Sequence, residues 1–347
     1  PQQRPLLELV WEALEDSGVP PSSVAGSAIG VYVGASSIDH GTRRVFDASG
    51  TDAYYMTGSA LSLIANRISY CFDFAGPSLV VDTACSSSLV ALHEAVSALR
   101  AGTIDTAIVA GVNILLNPFP FIGFSAARML SPEGLCRAFS AHGQGYVGSE
   151  GGVVMVLARD GASILRNGAP HARILASGVN SDGKTVGVSL PSYEAQGRLI
   201  RTVHDGAGID PNQLAFVEAH GTGTRVGDPI EARAIGEQIG QRRKDRLPIG
   251  SVKSNVGHLE PASGLVGLLK ATLALRNDLL PATLHAEELN PDIPFDDLNL
   301  RVAQEPVPLP RSDRPRLAGV STFGFGGTNA HVVIADPLAK PAERRSS

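Results

Sequence analysis

The stretch Leu79-Val80-Val81-Asp82-Thr83-Ala84-Cys85-Ser86-Ser87-Ser88 decides how the chain is read. Its three leading apolar residues are expected to form a short strand. The chain then turns through small residues, and a helix opens at Cys85. Leu89, Leu92, Val96 and Leu99 form one stripe on that helix, and Gly102 lies past its end. A thiol at a helix N-terminus feels the positive end of the backbone dipole, which favours its thiolate. The same turn pushes the sulfur outward and frees backbone N–H groups beside it, which supply half of an oxyanion hole. The competing reading is a small core cysteine, the ordinary fate of a free thiol.

Outward from this turn, strand and helix patterns alternate. Strands are expected at Ile29–Gly34, Thr106–Val112, Val153–Leu157, Ala172–Ser177, Ala215–Glu218, Pro248–Val252, Val320–Thr322 and Asn329–Ala335. Helices are expected at Leu6–Glu15, Ala60–Ile68, Glu194–Gly206, Pro229–Ile239 and Gly264–Leu275, with a polar loop over His40–Thr51. The alternation implies an α/β protein with buried sheets.

Composition agrees and excludes other classes. The 347 residues are 43% apolar and only 18% charged, so the chain buries a large core. Lys and Arg total 29 against 34 Asp and Glu, a net charge of −5 without the basic excess of a nucleic-acid binder. The runs Ala107–Leu116 and Leu265–Leu275 fall short of the roughly 20 residues of a spanning helix. The N-terminal PQQRPLLELVWEALEDSG is no secretory signal. Cys71, Cys85 and Cys136 make no disulfide framework and suit a reducing cytoplasm; Cys71 and Cys136 are read as structural. Glycine is in excess, at 38 residues.

Two of the nine histidines stand out. His220 ends the strand Phe-Val-Glu-Ala-His and runs into Gly-Thr-Gly-Thr. His258 closes Ser-Val-Lys253-Ser-Asn-Val-Gly257-His. In open α/β sheets chemistry gathers at the carboxyl ends of strands, where Cys85 also lies. Two neutral imidazoles donating N–H bonds there could hold a developing enolate oxygen, with Lys253 setting their protonation and orientation. Gly324-Phe325-Gly326-Gly327 forces a backbone bend close to a neighbour, and the Phe325 N–H could be the second oxyanion donor. The competing reading is a tight strand-to-strand turn.

Two glycine motifs imitate nucleotide sites. Gly178-Val-Asn-Ser-Asp-Gly183-Lys184-Thr185 fits the P-loop spacing, but Gly187 and Pro191 deny it the helix that would hold phosphates. The simpler reading is an Asn-Asp-Gly turn. Gly221-Thr-Gly223-Thr-Arg-Val-Gly227 is off the dinucleotide spacing by one residue.

Together the motifs DTACSSS, EAHGTGT with GDPIEA, SVKSNVGH and GFGGTNAH resemble the β-ketoacyl synthase (ketosynthase) family, specifically the ketosynthase domains of modular type I polyketide synthases. PQQRPLLEL, ANRISY and VNSDG are lesser matches, all in order along nearly the whole chain. The resemblance implies a thiolase-like fold of two similar α/β halves, stacked as a five-layered αβαβα sandwich and usually a homodimer. The first half spans residues 1–165 and carries the cysteine, the second spans 166–336 and carries both histidines, and 337–347 is a linker stub. Family members usually begin with several dozen more residues, so the first strand and helix of the first half are expected to be missing. Ser140–Gly151 departs from the family's acidic, Arg-containing stretch, with His142, Gly148 and Ser149 in altered positions.

The resemblance also implies chemistry. Cys85 accepts an acyl chain from the phosphopantetheine arm of an acyl carrier protein. His220 and His258 promote decarboxylation of a malonyl-type extender and stabilise its enolate, which attacks the Cys85 thioester. The N–H groups of Cys85 and Phe325 form the oxyanion hole, and Lys253 supports the histidines. Thr222, Thr224, Gly324 and Gly326 belong to substrate binding. No metal and no resident cofactor is implied, because the phosphopantetheine arrives on the carrier protein. A non-elongating ketosynthase would lose the first histidine, a loading decarboxylase would carry Gln for Cys85, and a biosynthetic thiolase would need a second cysteine near the C-terminus. A catalytically silent scaffold and, remotely, a P-loop nucleotide-binding module compete with the elongating enzyme.

Overall fold

Strand β1 (Gly30–Gly34) is buried at all five positions and β3 (Thr106–Asn113) at all eight, so both must lie inside a sheet covered on both faces. The computed structural model, which describes residues 1–42, 49, 51–162, 164 and 170–337, shows that sheet. Its first half runs α1 (Gln3–Asp16), β1, α2 (Asp39–Thr42), α3 (Tyr55–Ser59), α4 (Ser62–Phe72), β2 (Ser78–Val81), α5 (Ser87–Arg100), β3, α6 (Phe119–Ala126) and β4 (Gly151–Ala158). The second half runs β5 (Arg173–Ser181), α7 (Tyr193–Gly206), β6 (Leu214–Glu218), α8 (Gly227–Gln238), β7 (Leu247–Gly250), α9 (Lys253–Val256), α10 (Ser263–Arg276), β8 (Leu279–Leu280), β9 (Leu300–Val302), β10 (Val307–Pro308), β11 (Leu317–Phe323) and β12 (Thr328–Ala335).

The strand orders are β2-β1-β3-β4 and β5-β12-β11-β6-β7-β9. In each sheet two parallel strands adjoin a third, β3 or β11, which pairs antiparallel with β4 or β12. The first sheet thus repeats the inner strands of the second. The outer edge of β12 carries β5; the equivalent edge of β4 carries no strand among the described residues.

Side-chain alternation builds the layers. On β1 and β3, Val31, Val33, Ile108, Ala110 and Val112 face α1 and α4, meeting Leu6, Val10, Leu14, Ile64 and Ile68. Tyr32, Ala107 and Val109 face the other way, toward α5 and α10. Beyond those helices lie Phe216, Ala318, Val320 and Val332 of the second sheet. Its far face, with Val217, Ile249, Leu317 and Val333, is covered by Leu199, Ile200 and Val203 of α7 and Ala232 and Ile235 of α8. Five layers result, with α5 and α10 back to back at the centre.

Several boundaries differ from those expected. The cysteine turn is a 3₁₀ turn over Ala84–Ser86, with the α-helix proper from Ser87. Helix α8 opens at Gly227, before Pro229. Within His40–Thr51 a short helix, α2, reaches Thr42, while 43–48 and 50 lie outside the described residues. The expected boundary at 165/166 and the stub beyond 337 lie outside them as well. Helix α6, rich in Phe, Gly and Pro, carries no helical period and was not expected. The P-loop imitation fails, since β5 runs through Ser181 in register with Thr328 and Gly183 turns at φ +71° with no helix at Lys184. Among the described residues no helix is long and apolar enough to cross a membrane.

One buried ion pair sits between α10 and β6. Lys270 Nζ lies 2.5 Å from Glu218 Oε2, and Glu218 Oε1 accepts the Val252 N–H at 2.6 Å. Removing one member leaves the other charge buried without compensation. Lys270→Met is expected to cost about 3–5 kcal/mol, read as a lower urea midpoint; an unchanged midpoint would refute this.

Candidate active site

The residue before Cys85 sets the geometry. Ala84 adopts φ +55°, an uncommon conformation for a residue with a Cβ, and it reverses the chain between β2 and α5. Local bonds hold it: Asp82 Oδ1 accepts the Ala84 N–H at 3.1 Å, and Ser87 Oγ accepts the Thr83 N–H at 2.9 Å. Across the molecule, Gly324 packs against this turn. A Cβ on Gly324 would stand 2.5 Å from the Thr83 carbonyl oxygen and 3.1 Å from Ser86 Oγ, so only glycine fits. That close approach brings the Phe325 N–H to the Cys85 sulfur, which also receives the N–H of Cys85 itself. The two expected oxyanion donors therefore converge on the thiol.

The thiol differs from the sequence expectation in one respect. Burial pushes the Cys85 thiol up to about 12, and the Glu260 carboxylate adds to the rise. Lys253 and the two N–H groups oppose it without cancelling it. The helix start alone does not make a resting thiolate, because desolvation outweighs it.

His220 and His258 follow β6 and the short helix α9, and their rings meet edge to face with centroids 5.4 Å apart. The main chain at His220 is clamped from both sides. Its N–H donates to Glu231 Oε1 at 2.6 Å, the Gly221 N–H donates to Glu231 Oε2 at 2.8 Å, and Lys253 Nζ donates to the His220 carbonyl at 2.6 Å. His258 Nδ1 accepts the Glu260 N–H at 3.0 Å. A neutral His258 must then carry its proton on Nε2. Burial holds both imidazoles well below the ordinary histidine value, and Lys253 lowers both further.

These groups share one cavity of about 820 Å³. Cys85, His220, His258, Thr222, Thr224, Gly324 and Phe325 line it. Lys253 is buried beneath His220 and does not line it. Gly326 is not among the lining residues either, and the space where its Cβ would lie is open. Several supporting groups escaped the sequence reading. Tyr146 packs on His258 and lies 3.4 Å from Glu260 Oε1 through its hydroxyl, and Phe124 packs edge-on against both Tyr146 and Phe325. Asp228 accepts the Phe139 and Gly223 N–H groups. Glu231 and Asp228 lie in the GDPIEA stretch, and the missed signal is two acids on the buried side of a helix that also presents Ala232 and Ile235 inward.

The chain resembles known proteins over nearly its whole length. Residues 1–162 match the family model "Beta-ketoacyl synthase, N-terminal domain", 171–287 match "Beta-ketoacyl synthase, C-terminal domain", and 290–347 match "Ketoacyl-synthetase C-terminal extension". The chain is 48% identical over 342 residues to a phenolphthiocerol/phthiocerol polyketide synthase of Mycobacterium tuberculosis, covering 96% of this chain and 18% of that protein. It is 45% identical over 344 residues to the 5-methyl-1-naphthoate synthase of Streptomyces sahachiroi, covering 98% and 19%. The solved ketosynthase from module 6 of the bacillaene synthase of Bacillus subtilis superposes with a TM-score of 0.90 at 37% identity, covering 97% of this chain and 59% of that one. An oxazolomycin ketosynthase domain of Streptomyces albus gives 0.92 at 39% identity, covering 99% and 61%. The chain thus spans about a fifth of the length of these curated relatives and about three fifths of the solved chains.

The depressed histidine values carry a sign. The unfolded chain takes up protons near the ordinary value of 6.5 and the folded site does not, so these imidazoles withdraw stability as pH falls below it. The ¹⁵N spectrum of His258 is expected to show the neutral Nε2–H form at pH 7 and still at pH 6.5; a protonated Nδ1 there would contradict the assignment.

Proposed function

Since the chain belongs to the β-ketoacyl synthase family, we propose that it elongates acyl chains by decarboxylative condensation on Cys85. The supporting observation is the convergence in one cavity of a thiol held by two backbone donors and two neutral imidazoles. In the first step Cys85 Sγ bonds to the acyl carbonyl carbon of a carrier-protein thioester. The carbonyl oxygen draws charge toward the Cys85 and Phe325 N–H groups, and the pantetheine thiol leaves with the proton that Cys85 gives up. A malonyl-type thioester then loses CO₂, and its enolate oxygen takes N–H bonds from His258 Nε2 and His220. The enolate carbon attacks the acyl-Cys85 carbonyl, the C–S bond breaks, and a β-ketoacyl carrier protein leaves with Cys85 regenerated. Neutral imidazoles suit this role, because they donate to the developing charge without first needing a proton from solvent.

Carrier-protein delivery forms part of the same reading. The pantetheine arm passes Thr222 and Thr224, whose hydroxyls are 3.3 Å apart on the cavity wall. The exposed Arg128 and Arg225 at the cavity suit the arm's phosphate. A homodimer is proposed with it, supported by the partly exposed edge strand β2 and the exposed Phe119 and Ile122 of α6.

Incubation with an acyl thioester and a malonyl carrier protein, followed by intact-mass measurement, tests the proposal. Wild type is expected to gain acyl mass and release a β-keto product, and Cys85→Ala neither. His258→Ala is expected to acylate while extension falls by roughly 10²-fold or more. Acylation without extension by wild type would leave transacylation; no acylation would leave a scaffold. Arg225→Glu is expected to raise KM for carrier-borne substrate and not for a thioester lacking the phosphate; equal KM changes would refute the phosphate contact.

A further inference from the structure

Building on the ketosynthase reading above, we propose that Gln196 is a substrate-selecting residue whose carboxamide receives a hydrogen-bond donor, a hydroxyl or an amide N–H, from the bound thioester. Gln196 stands in the first turn of α7, is 1% exposed, and lines the cavity that holds Cys85. Its Oε1 has no hydrogen-bond partner among the described residues. A buried acceptor without a donor is destabilising, so natural proteins seldom keep one without use. The helix does not need it, because Ser192 already caps α7 by accepting the Ala195 N–H at 3.2 Å.

The strands beside α7 turn acceptors toward this side of the site. Asn180 Nδ2 donates to the Ala195 carbonyl at 2.8 Å, which leaves Asn180 Oδ1 as an acceptor. Asn329 Nδ2 donates to that oxygen at 3.2 Å and to Asp182 Oδ1 at 2.7 Å. Both amides are thereby oriented, and the strand register locks the row, with Asn329 opposite Asn180 on one side and Phe323 on the other. Asp182 lines the same cavity, and the Asn329 amide fixes its carboxylate as an acceptor too. This wall is therefore rich in acceptors, and a ligand that brings a donor complements it.

Substrate chemistry narrows the choice. A saturated acyl chain offers no donor and a ketone only accepts. A hydroxyl on the acyl chain donates, and so do the amide N–H groups of the pantetheine arm. A site built around such a bond rejects the analogue lacking it, because its own polar group is then left unpaired.

The test is the rate of acyl transfer to Cys85, read by intact mass, for wild type, Gln196→Leu and Gln196→Glu. Each protein receives a 3-hydroxyacyl and a saturated acyl group, on either N-acetylcysteamine or a simple alkanethiol without an amide. If the acyl hydroxyl is the donor, Gln196→Leu loses roughly tenfold on both hydroxyacyl thioesters and little on the saturated ones. If the arm amide is the donor, the loss falls on both N-acetylcysteamine thioesters and spares both alkanethiol ones. Gln196→Glu keeps an acceptor and is expected to retain the wild-type preference, which separates recognition from packing. Equal rates across all four substrates in wild type and Gln196→Leu would overturn the proposal, and so would an equal loss on all four. Wild type that accepts none of them would overturn the ketosynthase reading itself, an outcome visible before any variant is compared.

Discussion

The contact between Gly324 and the cysteine turn is the constraint on which the site depends. Cys85 belongs to the first sheet's half and Phe325 to the second. The Thr83 carbonyl and Ser86 hydroxyl press on the Gly324 backbone at distances that leave no room for a side chain. The Cys85 carbonyl meanwhile accepts from Ser263 Oγ at 3.2 Å, and Ser88 Oγ accepts the Leu265 N–H at 3.2 Å. Helices α5 and α10 are therefore pinned at their N-termini, where the chemistry sits, as well as by the Leu92, Leu99, Leu265 and Leu275 core along their length. Misplacing either sheet by an ångström would separate the oxyanion donors from the sulfur.

Burial sets the electrostatics of the site, and one buried cation acts on three of its groups at once. Lys253 is driven down by burial and drawn back up by Glu218 and Glu231. It bonds the His220 carbonyl rather than either imidazole, so it acts on the rings through its field. That field disfavours protonation of both histidines and favours ionisation of Cys85. Burial keeps the two imidazoles neutral as donors, and this one charge reinforces it while easing the thiol toward its nucleophilic form. Glu260 works against the last of these effects. On its side Tyr146 offers only a hydroxyl, and Gly148, whose Cβ position would lie 3.5 Å from Glu260 Oε1, offers no cation to its carboxylate.

Much of this was legible in the sequence, because motifs report local backbone requirements. The DTACSSS turn, the strand ends before His220 and the GFGG bend each announce a residue that must sit at an edge or approach a neighbour closely. These signals single out Cys85, both histidines and Phe325, which the fold brings to one cavity. What a motif cannot report is the cost of burial. The helix start pointed to a stabilised thiolate, while desolvation of the assembled cavity points the other way. Tyr146, Phe124 and Gln196 carry no spacing signal, since their partners lie far along the chain or on other elements. The family resemblance places Gly326 beside Gly324 in substrate binding, yet only Gly324 meets a wall.

The repeated architecture sharpens why one half carries the nucleophile. In each half a 3₁₀ turn opens a 14-residue central helix, Ala84–Ser86 before α5 and Glu260–Ala262 before α10. The first residue of each turn has positive φ, 55° at Ala84 and 44° at Glu260. The same strained start is put to different uses. After Ala84 it presents a sulfur to two N–H donors. At Glu260 it aims the backbone N–H at His258 Nδ1 and so fixes the tautomer of an imidazole in the same cavity as that sulfur. The repeat places two equivalent backbone corners close together at the helix N-termini. With the thiol at one and the tautomer lock at the other, a symmetric fold carries an asymmetric site.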